Sequence, residues 1–280
     1  MLENPDPGEI EKVAAQCKLN IDLIRDALDP FEVPRLETEE DTTYVFTRLP
    51  VKNGEQITTT PLLITIGKDY IVTISREQLS FMEAFVQGKG LESTTQRVKL
   101  FIKIFFELNQ EYNLLLTEIS RRVRSQIVAL EHIDNKDIIQ FVDFERVIND
   151  FMSALIPTNT ILHNLLSGRH MQLYERDEDL VEDLFLGNNQ LIETCRATLK
   201  NIVNIRDAYL TIMNQDTNRT VKLLTSLTIL LTVPTMISSF IGMNVKIPFS
   251  ESAMAFFMII VFTALVVLIL FKVFMKKRWL

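Results

Sequence analysis

Cysteine and glycine are scarce in this sequence, and their scarcity excludes several classes of protein. The two cysteines, Cys17 and Cys195, supply neither a disulfide framework nor the ligand spacing of a zinc site. We interpret each as a small buried apolar residue rather than a reactive thiol. The eight glycines are scattered, and the motifs GxxxxGK[ST] and GxGxxG are absent, so no nucleotide-binding loop is predicted.

Histidine is equally sparse, and its placement argues against catalysis. His132, His163 and His170 form no HExxH motif, and no Ser–His–Asp or Cys–His arrangement can be argued from the sequence. We interpret them as satisfied or solvated side chains rather than metal ligands. The sequence therefore predicts neither an enzyme nor a cofactor.

Acidic residues outnumber basic ones before the last sixty residues. The chain carries 29 Lys and Arg and 36 Asp and Glu; five of the basic residues and one acid lie from Leu223 onward, which leaves a net charge of −11 before that point. Because phosphate binding needs clustered basic residues, an acidic region of this kind argues against a nucleic-acid partner. It suits a region that meets cations.

Two long uncharged runs predict membrane helices, at Leu223–Val245 and Ser252–Phe271. Each is close to the roughly 20 apolar residues that cross a bilayer. Basic residues flank the outer ends of the pair, so the positive-inside rule predicts cytosolic termini and an external loop. The first residues, MLENPDPGEI, lack the apolar core of a signal peptide, so we expect the soluble region in the cytosol and the chain in the cell (inner) membrane.

The first third of the chain has a mixed α/β pattern. Two short helices are predicted between Pro5 and Leu28, and three strand-like runs follow at Thr43–Leu49, Pro61–Ile66 and Tyr70–Ile74, the last two close enough for a hairpin. The fold class is therefore α/β in the N-terminal domain, followed by helices.

Helical periodicity dominates the middle of the chain. Helices are predicted from Arg76 to about Arg124 and from Asp137 to about Leu166, with Pro157 and Gly168 as interruptions or ends. Between Gly187 and Pro234 there is neither glycine nor proline, which predicts one continuous helix of roughly 70 Å that joins a stalk to the first membrane span.

A row of hydroxyl side chains follows one face of the first span, with a period of 3.5 residues. Its members are Thr225, Thr228, Thr232, Thr235 and Ser239, and it extends back to Val221 and Asn218. Hydroxyl residues often mediate helix packing. In a self-associating stalk, however, several copies would turn this row toward a shared axis and line a pore with neutral oxygens.

Such a pore suits a hard, strongly hydrated cation. Mg²⁺ dehydrates reluctantly, and hydroxyl oxygens can accept hydrogen bonds from its water shell without stripping it. Conduction also needs weak sites, which a row of carboxylates would not provide. A membrane potential of 100 mV supplies roughly 2.3 kcal/mol per charge, so no nucleotide is required.

Directly after the first span, Gly242-Met243-Asn244 resembles the GMN signature of the CorA family of divalent-cation transporters. Its position between two final membrane spans makes the resemblance specific. The junction Asn218–Thr225, the stretch Val233-Pro234-Thr235 and the basic Lys276–Leu280 are similar to family segments, as is Asp29–Glu37 near the N-terminus.

The resemblance implies a CorA-like funnel, a homopentamer with α/β cytosolic domains and long stalk helices. It implies that Gly242, Met243 and Asn244 shape the outer pore mouth, and that Asn218 and Leu224 line the inner pore and its hydrophobic constriction. It also implies that Asp183 binds regulatory Mg²⁺ between subunits. We expect Gly242 to end the helix in a conformation that would strain other residues.

The expected organisation has six parts. They are a cytosolic α/β domain with helical extension (1–170), a stalk helix (171–222), a first transmembrane helix that ends in the GMN motif (223–245), an external loop (246–252), a second transmembrane helix (253–273) and a basic cytosolic tail (274–280). The partners are further copies of the chain, the lipid bilayer and divalent cations.

Some positions depart from the family pattern. Ile241 and Val245 replace aromatic residues, and the loop KIPFSES retains only Glu251 as an acid. Ion identity therefore stays open between Mg²⁺ and Zn²⁺, Co²⁺ or Ni²⁺. A membrane-anchored scaffold or sensor that conducts nothing is the alternative from a different class.

Overall fold

The chain is an α/β domain followed by apolar helices, as the sequence predicts. The computed structural model describes residues 1–78, 97–128, 135–167, 175–243 and 253–279. The described residues form two compact units, Met1–Arg206 and Asp207–Leu280. The helices are α1 (Pro7–Cys17), α2 (Ile21–Asp26), α3 (Arg97–Val128), α4 (Asn135–Leu166), α5 (Glu175–Ile241) and α6 (Ala253–Lys276).

A five-stranded sheet forms the centre of the first unit. Its strands are β1 (Leu2–Glu3), β2 (Arg35–Glu39), β3 (Thr42–Asn53), β4 (Gln56–Ile66) and β5 (Ile71–Ser75), in the spatial order β1-β5-β4-β3-β2. The last four form an antiparallel meander, and β1 pairs with β5 in parallel. The predicted hairpin between the last two strand runs is confirmed.

Two glycines make the turns of this meander possible. Asn53 pairs with Gln56 across a two-residue turn, where Gly54 has a φ of 65° that favours glycine. At the next turn the ring of Tyr70 lies against Gly67, so closely that a Cβ at Gly67 would be 2.3 Å from the ring. A side chain at Gly67 would therefore displace the tyrosine.

The two central strands are longer than predicted because each continues through a proline. Pro50 pairs with Thr59 beyond the residues that β2 contacts, and Pro61 pairs with Arg48 beyond the reach of β5. At each proline the strand is therefore paired on one side only. The other side is a free edge, where a missing N–H breaks no hydrogen bond of the sheet.

The sheet is buried on both faces, because successive side chains alternate between two cores. On one face, Tyr44, Phe46 and Leu63 pack with residues of α1 and α2. On the other, Val45 and Ile64 pack with α3, α4 and the first turns of α5. The result is a three-layer domain with the sheet in the middle.

Helix α4 runs through Pro157, so the predicted interruption at that residue is wrong. The proline removes the bond to the carbonyl four residues earlier, but buried Phe151 and Ile161 on either side hold the helix in place. Gly168 lies outside the described residues. Arg76 and Glu77, predicted as helical, form a bend, and the rest of that prediction up to residue 96 also lies outside them.

A set of asparagines joins α4 to α5 beside Pro157. The buried Asn188 donates from Nδ2 to the carbonyl oxygen of Leu155 (2.9 Å) and to Oδ1 of Asn159 (3.1 Å). Asn159 in turn donates to Oδ1 of Asn189 (2.9 Å). Because hydrogen bonds are directional, these contacts fix one alignment of the two helices.

Two helices meet the requirements of a membrane span. The most apolar window within Asp177–Ile241 has a mean hydropathy of 1.7, and that within Phe256–Lys276 reaches 2.9. Only 6% and 0% of these windows are buried. Core helices of soluble proteins are mostly buried, so these values favour membrane helices over core helices.

Candidate pore-lining surface

The predicted pore-lining residues all lie on α5, and all are exposed in the single chain. At 100° per residue they fall within about 120° of the helix circumference. They are Asn218, Val221, Leu224, Thr225, Thr228, Thr232, Thr235 and Ser239. Val221 and Leu224 expose 54% and 56% of their surface. We call this row the hydroxyl face.

A second row on α5 is covered, and it lies on the opposite side of the helix. Ser226 is fully buried, and its row continues through half-buried residues at steps of three or four: Leu230, Val233, Ile237 and Ile241. On α6 a matching row runs through Ile259, Thr263, Leu270 and the buried Phe274. These rows are the least exposed sides of the two helices in the second unit, as expected of faces that pack.

The hydroxyl face is therefore not used for packing within the chain. The covered row and the hydroxyl face are separated by about 160° around α5, from helical geometry. Helix packing within the chain would be the simpler explanation of the Thr and Ser row. The covered residues, however, are Ser226 and its neighbours on the other side of the helix. Ser226 donates its hydroxyl proton to the carbonyl oxygen of Leu223 (2.8 Å).

Two of the threonine hydroxyls on this face, those of Thr228 and Thr235, already donate their protons inside the helix. Thr228 bonds to the carbonyl oxygen of Leu224 and Thr235 to that of Leu231, both at 2.8 Å. A hydroxyl whose proton is engaged still has lone pairs that accept hydrogen bonds. The water molecules around a cation donate outward, so these oxygens can accept from a hydration shell.

Gly242 does not adopt the conformation that we expected. The helix ends at Ile241, and the Gly242 N–H bonds to the carbonyl oxygen of Ser238 (3.0 Å). Gly54 is the glycine with positive φ in the described chain, and a Cβ at Gly242 would lie 3.5 Å from its nearest neighbour, an ordinary contact. The expectation of a strained helix end at Gly242 is wrong, because its φ is not positive and the chain leaves room for a side chain there.

The remaining residues of the GMN motif are only partly described. Met243 is 55% exposed, and its N–H lies 3.4 Å from the carbonyl oxygen of Phe240. Asn244 lies outside the described residues, as do the predicted loop 246–252 and Val245. Their roles stay predictions.

Asp183 lies on an exposed face of α5, together with Asp179 and Glu182. Across the described ranges, no group of three or more His, Cys, Asp or Glu side chains has the geometry of a metal site. The regulatory role of Asp183 stays a prediction. Hard cations take six or more oxygen ligands, so such a site would draw ligands from another subunit or from water.

The apolar stripe that precedes the hydroxyl face has a structural use. Leu191, Cys195, Ile202 and Ile205 are all buried within the first unit. Burial raises the pKa of the Cys195 thiol to about 12, which keeps it protonated and unreactive. The interpretation of Cys195 as a buried apolar residue is confirmed, and Cys17 is half-buried. His163 is exposed beside the ring of Phe185, whereas His132 and His170 lie outside the described residues.

Sequence reasoning missed a polar contact that supports the helices under the sheet. Tyr112 on α3 donates its phenolic proton to the carbonyl oxygen of Arg48 on β3 (2.9 Å). Burial raises the pKa of Tyr112 well above its usual value, and burial lowers the pKa of Arg48. Tyr112 belongs to an apolar helical stripe, and nothing in its spacing distinguishes it from the purely apolar members.

A family comparison decides the identity of the chain. Residues 1–278 match the family described as CorA-like Mg²⁺ transporter protein. The chain belongs to this family. It is therefore a membrane-embedded divalent-cation transporter rather than an enzyme, and the resemblance drawn from the GMN motif is confirmed.

Individual relatives agree with this membership. The chain is 22% identical to the cobalt/magnesium transport protein CorA of Methanocaldococcus jannaschii over 99% of its length and 89% of the relative's. The complete structure of the CorA magnesium transporter from that organism has a TM-score of 0.89 at 21% identity, covering 99% of this chain and 90% of the other. The full-length CmaX protein has a TM-score of 0.79 at 17% identity, covering 99% and 87%. The CorA-like fold thus extends over the whole chain.

Proposed function

We propose that this CorA-like chain assembles into a homopentamer and conducts hydrated Mg²⁺ inward across the cell membrane. The observation that carries the proposal is the hydroxyl face of α5, which is exposed and lies opposite the face that packs within the chain. An exposed polar row on a membrane helix is costly against lipid. Assembly around a shared axis would give it an aqueous surface.

The chemistry of the row favours a hydrated ion. Thr228 and Thr235 offer acceptor oxygens without free protons, and the pore-lining residues include no acid. A divalent ion that moves down a potential of 100 mV gains about 4.6 kcal/mol, since each charge contributes roughly 2.3 kcal/mol. That energy can drive uptake without a nucleotide. The five-fold symmetry is taken from the family resemblance.

In this proposal each end of α5 has its own role. Asn218 and Leu224 line the inner pore, and Leu224 contributes to a hydrophobic constriction. Gly242, Met243 and Asn244 form the outer mouth, where the Asn244 amide oxygen accepts from the hydration shell. Because the chain leaves room for a Cβ at Gly242, we attribute this glycine to close approach of neighbouring subunits or of the ion.

The orientation and the regulation belong to the same proposal. Both termini lie in the cytosol, consistent with the basic residues around the spans and the nearly uncharged loop. Cytosolic Mg²⁺ binds near Asp183, between subunits, and holds the pore closed. When Mg²⁺ is lost, repulsion among exposed acids such as Glu182 and Asp179 opens it.

The proposal is tested by uptake into proteoliposomes under an inside-negative potential. Entrapped indicators would report Mg²⁺ and, in parallel, Zn²⁺, Co²⁺ and Ni²⁺, for the wild-type chain and for Asn244→Ala. Mg²⁺ uptake that disappears in the variant is the expected result. Uptake of only the other metals would retain the transporter and change its substrate. Absence of flux for every metal would favour the scaffold and refute the pore.

The hydroxyl face has a matched control on the same helix. Ser239 belongs to the face, whereas the adjacent and likewise exposed Ser238 lies about 100° from its centre. Ser239→Val is expected to reduce Mg²⁺ uptake, and Ser238→Val is expected to leave it near the wild-type rate. Equal effects of the two substitutions would contradict a pore lined by this face.

A further inference from the structure

The C-terminal end of α6 is closed by its own backbone. The N–H of Trp279 bonds to the carbonyl oxygen of Phe274 (3.0 Å), and the N–H of Arg278 bonds to that of Met275 (3.1 Å). Arg278 has a φ of 55°, the left-handed conformation. These are the two bonds and the backbone geometry of a Schellman cap. The carbonyls of Phe274 and Met275 near the end of the helix therefore do not need lysine or arginine side chains as partners.

An arginine occupies the position of this cap at which glycine is usually found. Glycine adopts positive φ without a steric penalty, whereas arginine does not. Arg278 is exposed, as are Lys276 and Lys277. In the parts of the chain that the structure describes, none of the three forms an ion pair with an acid. The charge at Arg278 thus has no structural use in the cap.

Beside these charges the single tryptophan of the chain is held in a fixed position. The ring of Trp279 stacks on that of Phe274, with centroids 5.7 Å apart and an angle of 3° between the planes. The Lys277 Nζ lies 6.0 Å from the Trp279 centroid. Trp279 remains partly exposed. Three cations and an indole are therefore presented together at the end of an apolar helix.

We propose that this capped end, residues 274–279, binds the headgroup of an anionic phospholipid. Tryptophan favours the boundary between acyl chains and headgroups, and basic residues at a helix end attract anionic lipid. The headgroup phosphate would contact Arg278 and the two lysines, while the indole would lie against the part of the acyl chains nearest the headgroup. The proposal rests on membrane insertion of α6 and is independent of which ion the pore conducts.

Because Trp279 is the only tryptophan, its fluorescence reports lipid contact at this site alone. The full-length chain would be placed in mixed vesicles of phosphatidylcholine and phosphatidylglycerol, with bromine on the acyl chains of one lipid or of the other. Contact with a brominated lipid quenches the indole. We expect stronger quenching by the brominated phosphatidylglycerol at equal mole fraction.

The variants separate charge from fold. Arg278→Gly removes the charge and keeps the left-handed cap, so the helix end stays intact; the preference for phosphatidylglycerol should fall about fivefold, the expectation for one basic residue at an anionic surface. Lys276→Gln combined with Lys277→Gln and Arg278→Gly should abolish it. Lys12→Gln, an exposed charge on α1, is the matched control and should leave it unchanged.

Three results would overturn the proposal. Equal quenching by the two brominated lipids would mean that the site does not select anionic headgroups. A preference that survives in the triple variant would mean that other residues select the lipid. Absence of quenching by either lipid would place Trp279 away from the acyl chains.

Discussion

Replacement of Thr228 or Thr235 by valine tests the pore model most directly. Each substitution keeps the shape of the side chain and removes an oxygen that would accept from the hydration shell. The hydroxyl proton is donated to a carbonyl four residues earlier, at 2.8 Å, and the backbone of the helix already supplies that carbonyl with a donor. Neither variant therefore leaves a buried group unsatisfied, and both should insert normally.

The expected loss of rate follows from the hydrogen bonds removed. In a symmetric assembly the copies of one threonine would form a ring of hydroxyls around the pore. A hydrogen bond contributes about 1 kcal/mol net, so an ion whose water shell contacts two hydroxyls of such a ring loses about 2 kcal/mol of stabilisation when valine replaces the threonine. At about 1.36 kcal/mol per tenfold change in rate, uptake should fall roughly 30-fold. In the proposed pore the ion would pass the Thr228 and Thr235 positions one after the other, so the double variant should be little slower than the slower single variant.

The assay is the initial rate of Mg²⁺ uptake into proteoliposomes, normalised to the amount of inserted protein. Ser238→Val is the control for an extra methyl-bearing side chain on the same helix but off the hydroxyl face. A Thr228→Val variant that transports at the wild-type rate, with unchanged assembly, would refute the role of the hydroxyls. An additive loss in the double variant would refute passage one ring at a time.

Four other outcomes are expected. Gly242→Ala should leave the melting temperature of the chain nearly unchanged, since its Cβ makes ordinary contacts, yet reduce uptake at least tenfold if neighbouring subunits or the ion approach there. Asp183→Asn should raise the internal Mg²⁺ concentration that stops uptake by about tenfold, the loss of one charge-assisted contact. Tyr112→Phe should lower the free energy of unfolding in urea by about 1–2 kcal/mol, because the part-buried carbonyl of Arg48 loses its donor. Burial raises the pKa of the Cys195 thiol to about 12, whereas the unfolded value is near 9. The free energy of unfolding should therefore fall by about 1.4 kcal/mol per pH unit as pH rises from about 9 toward 12, because the unfolded chain loses this proton first. Cys195→Ala should remove that decline, measured by denaturation at about pH 9 to 11.

The sequence predicted the elements whose signals are local and strong. The strand runs beginning near Thr43 and Pro61 alternate in the way that a sheet requires, and the two apolar windows are long enough for membrane spans. The short edge strand Arg35–Glu39 was missed because its charged residues carry no apolar alternation. It forms because β3 offers a free edge, which is a tertiary effect.

The proline and glycine signals were less reliable, because tertiary packing decides them. Pro157 interrupts a helix in isolation, but α4 is held on both sides by buried residues and continues. Gly242 indicated a left-handed end for α5, but the φ of Gly242 is not positive. Sequence spacing showed that the Thr and Ser residues share one side of α5, yet it could not tell which side of α5 is covered. That distinction needed the burial of Ser226 and of Phe274.

The asparagine contacts beside Pro157 bear on how a signal can travel through the protein. An apolar interface between two helices lets one slide past the other by a turn at little expense, but Asn188 would lose its bonds to Leu155 and Asn159 at any other register. The first part of α5 must then move together with α4 and the sheet that α4 covers. If a ligand in the α/β domain controls transport, as proposed, its effect would then reach α5 through a rotation or tilt of this whole block, and not through a sliding of α5 alone.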